Sequence, residues 1–462
     1  MRILITSPVF PPDLGGPAVY VPSAARFFVD AGHEVGVLAF CSEKKVSGYP
    51  FEVTTISRGN LLWRYVKAFW FVFRHARKYD VVYVQEHIAL FHVLGAWFAR
   101  RPVVIRIMVD GAWEISHRFG LIGDDDINLF ETKEYGWKVK LIRKVQLFWW
   151  NRVRRIIACS DFLRWIPIKR YGISEEKCVR VHNAYNGPSV EDVTQTRDEA
   201  RAELGLELTG KRYVLTICRL VIWKGVDFIM QALKDLPDDV HLLVAGDGEM
   251  QEEWERQKDE LGLAARVTFL GNVPHAQIPL YIRAADLFVL NSEYEGLSHT
   301  LLEVASLGTP IVCTGVCGNP EVVEDGVNGF LVPPKSPGPL AEAMGKVLED
   351  PELAARFRAA GLEKMQGFTR EATFPQVLSI LGQAAGTSNP LQVGGHGRGQ
   401  RGKHHAGEVP DVDAHFQRGG GDEDVGSLWV VGAGLELRFV EDPCCVVEQR
   451  GVFPGHNPLA FA

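Results

Sequence analysis

The sequence predicts an α/β protein made of two Rossmann-like domains. Three observations carry that expectation. Short apolar runs rich in Val, Ile and Leu alternate with helical periodicity from Ile3 onward, the pattern of buried parallel strands joined by helices. The series restarts at Tyr213 after a charged, helical stretch, Glu191–Glu207, so a domain boundary belongs near residues 190–210. Glycines also gather just past strand ends, as at Gly246-Asp247-Gly248 and Glu295-Gly296, where open parallel sheets bind ligands. A chain of 462 residues has room for two or three domains.

In chain order, Ile3–Thr6 reads as a strand, Ser7–Pro17 as a proline-rich loop, Ala18–Ala31 as a helix and Val35–Phe40 as a second strand. The pair Gly15-Gly16 stands where a helix begins, so backbone there can approach a phosphate. Leu61–Tyr79 carries five Lys/Arg, seven aromatics and no acid. Asp80–Val84 is a strand leading to Glu86 and His87, and Val103–Val109 is another leading to Asp110 and Glu114. These four side chains are candidates because they stand at strand carboxyl ends. Gly136–Ser160 holds seven Lys/Arg and no acid, with an expected apolar face of Val139, Leu141, Ile142, Val145, Leu147 and Phe148. A basic amphipathic helix of this kind suits an anionic membrane surface. Ile156–Ser160 and Val179–Asn183 close the first strand series, with Ser160-Asp161 capping a helix between them.

In the second series, Tyr213–Cys218 runs into a loop flanked by Arg219 and Lys224. Two fixed cations beside a helix N-terminus match a diphosphate. Val240–Ala245 leads into the Gly246-Asp247-Gly248 turn and Val267–Leu270 into Gly271-Asn272-Val273-Pro274. Ala285–Leu290 is a strand, Gly296 breaks its periodicity, and a helix from Thr300 to Leu307 ends at Gly308-Thr309-Pro310. Glu295 is therefore at a strand end, with Glu303 in the helix's first turn or just past it. Two carboxylates repel a bare phosphate but suit hydroxyls beside phosphates, which means a nucleotide carrying a sugar. Ile311–Thr314 is a further strand, Asn328–Val332 a turn, and Phe368–Ala384 the last helix.

The Glu295-Gly296-Leu297 stretch with Glu303 resembles the E-x7-E signature of retaining glycosyltransferases of family 4, which have the GT-B fold, two Rossmann-like domains facing each other across a cleft. Arg219 to Gly225 resembles that family's R-x4-K-G motif, Gly15-Gly16 its N-terminal glycine loop, and Val179–Asn183 the last strand of its first domain. The resemblance covers residues 1–385. It implies an N-terminal acceptor domain over 1–190, a nucleotide-sugar domain over 191–367 and a crossover helix over 368–385. It further implies transfer of a hexose from a nucleoside-diphosphate sugar, UDP or GDP, with retention of configuration. The implied catalytic residues are Arg219, Lys224, Glu295 and Asp110, the last standing where many relatives carry a His against the transferred sugar. The implied donor contacts are Gly15, Gly16, Arg219, Lys224, Gly246, Val273, Glu295, Gly296, Leu297, Ser298 and Glu303. No metal or other cofactor is expected, because Arg219, Lys224 and helix N-termini supply the positive charge. Arg219 and Lys224 also weigh against a glycosidase, which has no diphosphate to hold. Another GT-B enzyme, such as a sugar-nucleotide epimerase or a phosphorylase, and a nucleotide-binding protein without catalysis stand as alternatives.

Composition sets outer limits. The formal net charge of −7 gives no sign of nucleic-acid binding. Eight cysteines are scattered without zinc-site spacing, and Met1–Thr6 is too short an apolar run for a signal peptide. The expected setting is cytoplasmic and reducing, with the basic-aromatic stretches holding the protein peripherally on the inner face of a membrane and the acceptor a lipid-linked or envelope glycan. Residues 386–462 hold 15 of the 46 glycines, with low complexity at Gly394–Gly402, and are expected to be disordered apart from a strand pair around Trp429–Val440. Their histidines are weak candidates for adventitious metal binding.

Overall fold

The alternation closes into two all-parallel sheets. The computed structural model describes residues 1–386, apart from Leu14, Glu86, His87, Asp124 and Asp126, together with two strands further along the chain. The first half runs β1 (Arg2–Ser7), α1 (Gly16–Asp30), β2 (Glu34–Cys41), β3 (Glu52–Ser57), α2 (Leu61–His75), β4 (Val81–Val84), α3 (Leu90–Phe98), β5 (Val103–Ile107), α4 (Gly111–Arg118), α5 (Ile127–Thr132), α6 (Trp137–Trp150), β6 (Arg155–Ala158), α7 (Asp161–Lys169) and β7 (Cys178–Arg180). Its strand order is β3-β2-β1-β4-β5-β6-β7. Alternate residues feed two apolar layers, as a pleated strand requires. Leu4, Leu38, Val82 and Ile105 face α2, α3 and α6, while Ile3, Ile5, Val37 and Tyr83 face α1 on the other side.

The second half runs α8 (Arg197–Glu203), β8 (Arg212–Ile217), α9 (Val226–Leu233), β9 (Val240–Ala245), α10 (Gln251–Glu260), β10 (Val267–Gly271), α11 (Ile278–Ala284), β11 (Leu287–Leu290), α12 (His299–Leu307), β12 (Ile311–Thr314), α13 (Asn319–Val322), β13 (Phe330–Val332), α14 (Pro337–Glu349), α15 (Pro351–Met365) and α16 (Arg370–Ala385). Its strand order is β10-β9-β8-β11-β12-β13. Both sheets thus reverse direction of growth beside their first strand, which opens a crevice at the carboxyl ends there. Helix α16 leaves the second domain and lies on the first. Thr369 caps its start by accepting from Ala372 N–H, and Phe374, Val377 and Leu381 fill the layer beneath α1. The Phe374 ring meets Tyr20, Phe27 and Phe28 edge-on.

Several expectations differ from the structure. Strand β3 was not anticipated, because EVTTIS is a half-exposed edge strand without an apolar run. Residues 330–332, read as a turn, form β13 beside β12. The charged stretch before β8 is helical only over α8, which opens on a Thr196/Glu199 capping box. Helix α6 is rotated from its expected orientation. It buries Val139, Arg143, Gln146, Trp149 and Trp150, and leaves Trp137, Leu141, Val145 and Phe148 exposed. The cause is polar. Gln146 donates to Asp110 at 2.5 Å and Arg143 donates to the Phe130 carbonyl, so these two side chains turn inward. Cys41, Cys159, Cys178, Cys218 and Cys313 carry free thiols, and among the described residues no helix is long and apolar enough to cross a membrane. Two antiparallel strands, β14 (Gly426–Val430) and β15 (Leu435–Phe439), pair with each other; the remaining expectations for 387–462 fall outside the described residues.

Truncating the ring that anchors α16 tests its structural role. Phe374→Ala is expected to lower unfolding stability by about 3 kcal/mol, read as a shift in the urea midpoint. A midpoint unchanged from the parent would show that α16 contributes nothing to the first domain.

Candidate active site

Four loops meet at the carboxyl edge of the second sheet, following β8, β9, β11 and β12. They meet as backbone against backbone. A Cβ on Gly246 would lie 1.9 Å from the Cys218 carbonyl oxygen, and one on Gly248 would lie 2.4 Å from that of Leu220. Both glycines have positive φ, 129° and 154°. Leu220 N–H donates to Asp247 at 2.7 Å and Met250 N–H to Leu220 at 2.9 Å, so the Gly-Asp-Gly turn clamps the segment that carries Arg219. Gly225, at φ 59°, lets β11's end approach, and Asn291 Nδ2 donates to its carbonyl at 3.1 Å. Glu293 N–H donates to Trp223 at 2.8 Å. These two bonds stitch the lysine loop to the glutamate loop.

The stitching brings Lys224 Nζ to 2.6 Å from Glu295 Oε1, with both side chains largely shielded. Arg219 lies exposed at the same edge and enters no ion pair among the described residues. Beyond Glu295 the chain passes through Gly296 and buried Leu297 to Ser298, whose hydroxyl caps α12 by accepting from Leu301 N–H. The remaining first-turn N–H groups are the free donors of that helix. Glu303 stands past the first turn, and its Oε1 is buried without a hydrogen-bond partner. Burial raises its carboxyl pKa, with His275 pulling the other way. A buried acceptor left unmatched is destabilising by roughly 1–3 kcal/mol, and a ligand hydroxyl donating to it would offset that. Val273 lies just past β10, half-buried beside the same edge.

The first domain presses directly on this edge. A Cβ on Gly296 would sit 2.4 Å from the Met108 carbonyl oxygen. Trp113 and Tyr294 rings meet at 5.2 Å, and His117 and Trp223 at 5.8 Å. Glu321 of α13 accepts from Asp161 N–H at 2.6 Å and pairs with His182 at 2.8 Å and Arg180 at 3.5 Å. Gly15 stands at the start of α1 with a positive φ of 152°, a conformation that favours glycine, and Gly16 is the first residue of that helix. Asp110 does not present an open carboxylate. It is 1% exposed, caps α4 through Ala112 N–H, and accepts from Gln146 and from Tyr171 at 3.2 Å. Its place is to hold α4, which carries Trp113 and Glu114 toward the cleft. Glu114 bonds Arg118 at 3.1 Å, and Glu86 and His87 fall outside the described residues. Sequence reasoning passed over His299, Asn183 and Glu321. His299 alone carried a signal, standing four residues from both Glu295 and Glu303, hence on Glu303's face of α12.

Two parallel-sheet domains with facing carboxyl edges and a nucleotide-sized cation and carboxylate set define a GT-B glycosyltransferase. The Glycosyl transferases group 1 family model matches residues 196–364 and the Glycosyltransferase Family 4 model matches residues 14–186; the chain belongs to the group 1 glycosyltransferases. It is 26% identical over 375 residues to an uncharacterized glycosyltransferase of Methanocaldococcus jannaschii, covering 76% of this chain and 90% of that one. A GDP-mannose-dependent alpha-(1-6)-phosphatidylinositol monomannoside mannosyltransferase of Mycolicibacterium smegmatis is 32% identical over 37% of this chain and 49% of its own. The crystal structure of HepE from Anabaena in complex with UDP superposes with a TM-score of 0.65 at 24% identity, covering 83% of this chain and all of that one. These findings set aside the reading as a binding protein without catalysis.

Gly296→Ala is expected to hold the domains apart, because the added methyl meets the Met108 carbonyl. Solution scattering should show a larger radius of gyration, and glycosyl transfer should fall on the order of 100-fold. A variant as compact and as active as the parent would show that this approach is not needed.

Proposed function

We propose that the enzyme moves a hexose from a UDP- or GDP-sugar, with retention of anomeric configuration and without a metal, onto a lipid-linked or cell-envelope glycan. The observation that carries this reading is the buried, unmatched Oε1 of Glu303 on the helix that follows the Lys224–Glu295 pair. That oxygen asks for a donor, and the ribose hydroxyls of a nucleotide supply one. The donor's diphosphate takes Lys224 from Glu295, with Arg219 and the α12 N-terminus as further partners. Glu295, so released, accepts from a hydroxyl of the sugar. As the bond from the anomeric carbon to the phosphate oxygen breaks, negative charge grows on the nucleoside diphosphate, where these groups stabilise it. The acceptor oxygen bonds the anomeric carbon on the same face, and its proton passes to the departing phosphate. UDP in HepE and the phosphatidylinositol-linked acceptor in the name of the mycobacterial relative support this choice of donor and acceptor.

The acceptor class also rests on the outer face of the first domain. Trp63 and Trp70 of α2, Trp97 and Phe98 of α3, and Trp137, Leu141 and Phe148 of α6 are all exposed. Contacts link the patch from α2 to α3 and from α3 to α6: Phe69 meets Phe98, and the Arg152 guanidinium lies over both Trp97 and Phe148. Exposed Lys67, Arg74, Lys138, Lys140 and Lys144 rim it. Aromatic rings edged by cations fit an anionic lipid surface, and we place the enzyme peripherally on the inner face of the cell membrane.

Nucleotide release from a panel of UDP-, GDP- and ADP-sugars tests the chemistry. One donor should turn over, equally with and without EDTA, and Lys224→Ala and Glu303→Ala should each reduce the rate by ~100-fold or more. Full activity in either variant would remove that residue from the mechanism, and loss with EDTA would overturn the metal-free reading. Vesicles test the surface. The protein should sediment with anionic but not with zwitterionic phospholipid, and Trp97→Ser with Trp137→Ser should abolish this. Equal recovery from both vesicle types would overturn the membrane assignment.

A further inference from the structure

A relay of fixed donors crosses from the first domain to α12. Arg106 is buried beneath the Tyr20 ring, and its guanidinium can only donate. Its Nη2 bonds Asn183 Oδ1 at 2.8 Å as well as the carbonyls of Val181 and His182. That contact sets the Asn183 amide, since the oxygen must face the arginine. Asn183, fully buried, then points Nδ2 at His299 Nε2, 3.1 Å away. An amide nitrogen only donates, so Nε2 must accept, and the proton of a neutral imidazole lies on Nδ1. Desolvation of the ring and then the Arg106 charge lower the His299 pKa to about 4, against an opposite pull from Glu295, so the ring is neutral at physiological pH. Among the described residues nothing takes up Nδ1, and the residue is exposed.

His299 is the first residue of α12, four before Glu303 and on the same face. It stands between the helix's anion-binding end and the carboxylate assigned to ribose. A neutral ring with its acceptor already taken can offer only an N–H there. From this geometry we infer that His299 is a binding residue whose Nδ1–H donates to a phosphate oxygen of the donor nucleotide, with Arg106 and Asn183 as the residues that fix its tautomer. The assignment rests on the donor reading above and adds to it a phosphate contact that Arg219, Lys224 and the helix end do not account for.

The test compares affinities of the full chain for a nucleoside diphosphate and for the matching nucleoside. His299→Phe keeps the ring and loses the N–H. It should weaken the diphosphate by roughly 10–100-fold and leave the nucleoside unchanged, while His299→Gln, which restores an N–H, should recover part of the loss. Long-range proton–nitrogen NMR of the free enzyme should show the Nδ1–H tautomer. Unchanged diphosphate affinity in His299→Phe, equal losses for diphosphate and nucleoside, or an Nε2–H tautomer would each overturn the assignment. A parent protein that binds no nucleoside diphosphate would instead overturn the donor reading itself, and the role of His299 with it.

Discussion

Backbone touching backbone at the carboxyl edge of the second sheet is the constraint on which the rest depends. Lys224 and Glu295 lie on loops after different strands, 71 residues apart, and the loops must be held together for the two side chains to meet at hydrogen-bond distance. The loops are locked by bonds to main-chain carbonyls, from Asn291 Nδ2 to Gly225 and from Glu293 N–H to Trp223, and Gly225, Gly246, Gly248 and Gly318 permit the close approach because they lack the carbon that would intervene. Gly318 shows the scale: a Cβ there would lie 2.2 Å from the Gly296 carbonyl. Rigid placement of this kind lets a few charges act on a ligand without reorganising.

The charges themselves are left in states that a ligand can improve. Lys224 and Glu295 neutralise each other, and Glu303 holds an oxygen with no donor. Stability is given up locally where the chemistry occurs, while interior Asp110 is tied to Ala112, Gln146 and Tyr171. The same contrast separates the two outer surfaces of α6. Its polar residues turn inward to satisfy Asp110 and the Phe130 carbonyl, and its rings turn out.

Much of the fold was legible because parallel strands buried on both faces announce themselves as apolar runs. The motif residues were legible because one sheet edge gathers them at short, regular spacings, as with Glu295 and Glu303. What failed was whatever depends on a partner distant in sequence. Asp110 reads as an open carboxylate until Gln146 and Tyr171 are brought to it. Helix α6 reads as apolar on one face until Arg143 and Gln146 find buried acceptors. Strands β3 and β13 are sheet edges whose pairing, not composition, makes them strands. The relay from Arg106 to His299 joins residues 193 positions apart, and only folding brings them together.

The path of α16 bears on how the molecule is made. The first domain's strands are complete by Arg180, yet one of its apolar layers waits for Phe374, Val377 and Leu381. A ribosome adding 5–20 residues per second takes roughly 10–40 s to deliver them. Through that interval Ile3, Ile5 and Phe28 face a site whose native cover does not yet exist. The second domain, whose sheet and helices are contiguous in the chain, reaches its full contact set first. Vectorial synthesis therefore inverts the order of the domains: the one that begins the chain is the last to be finished.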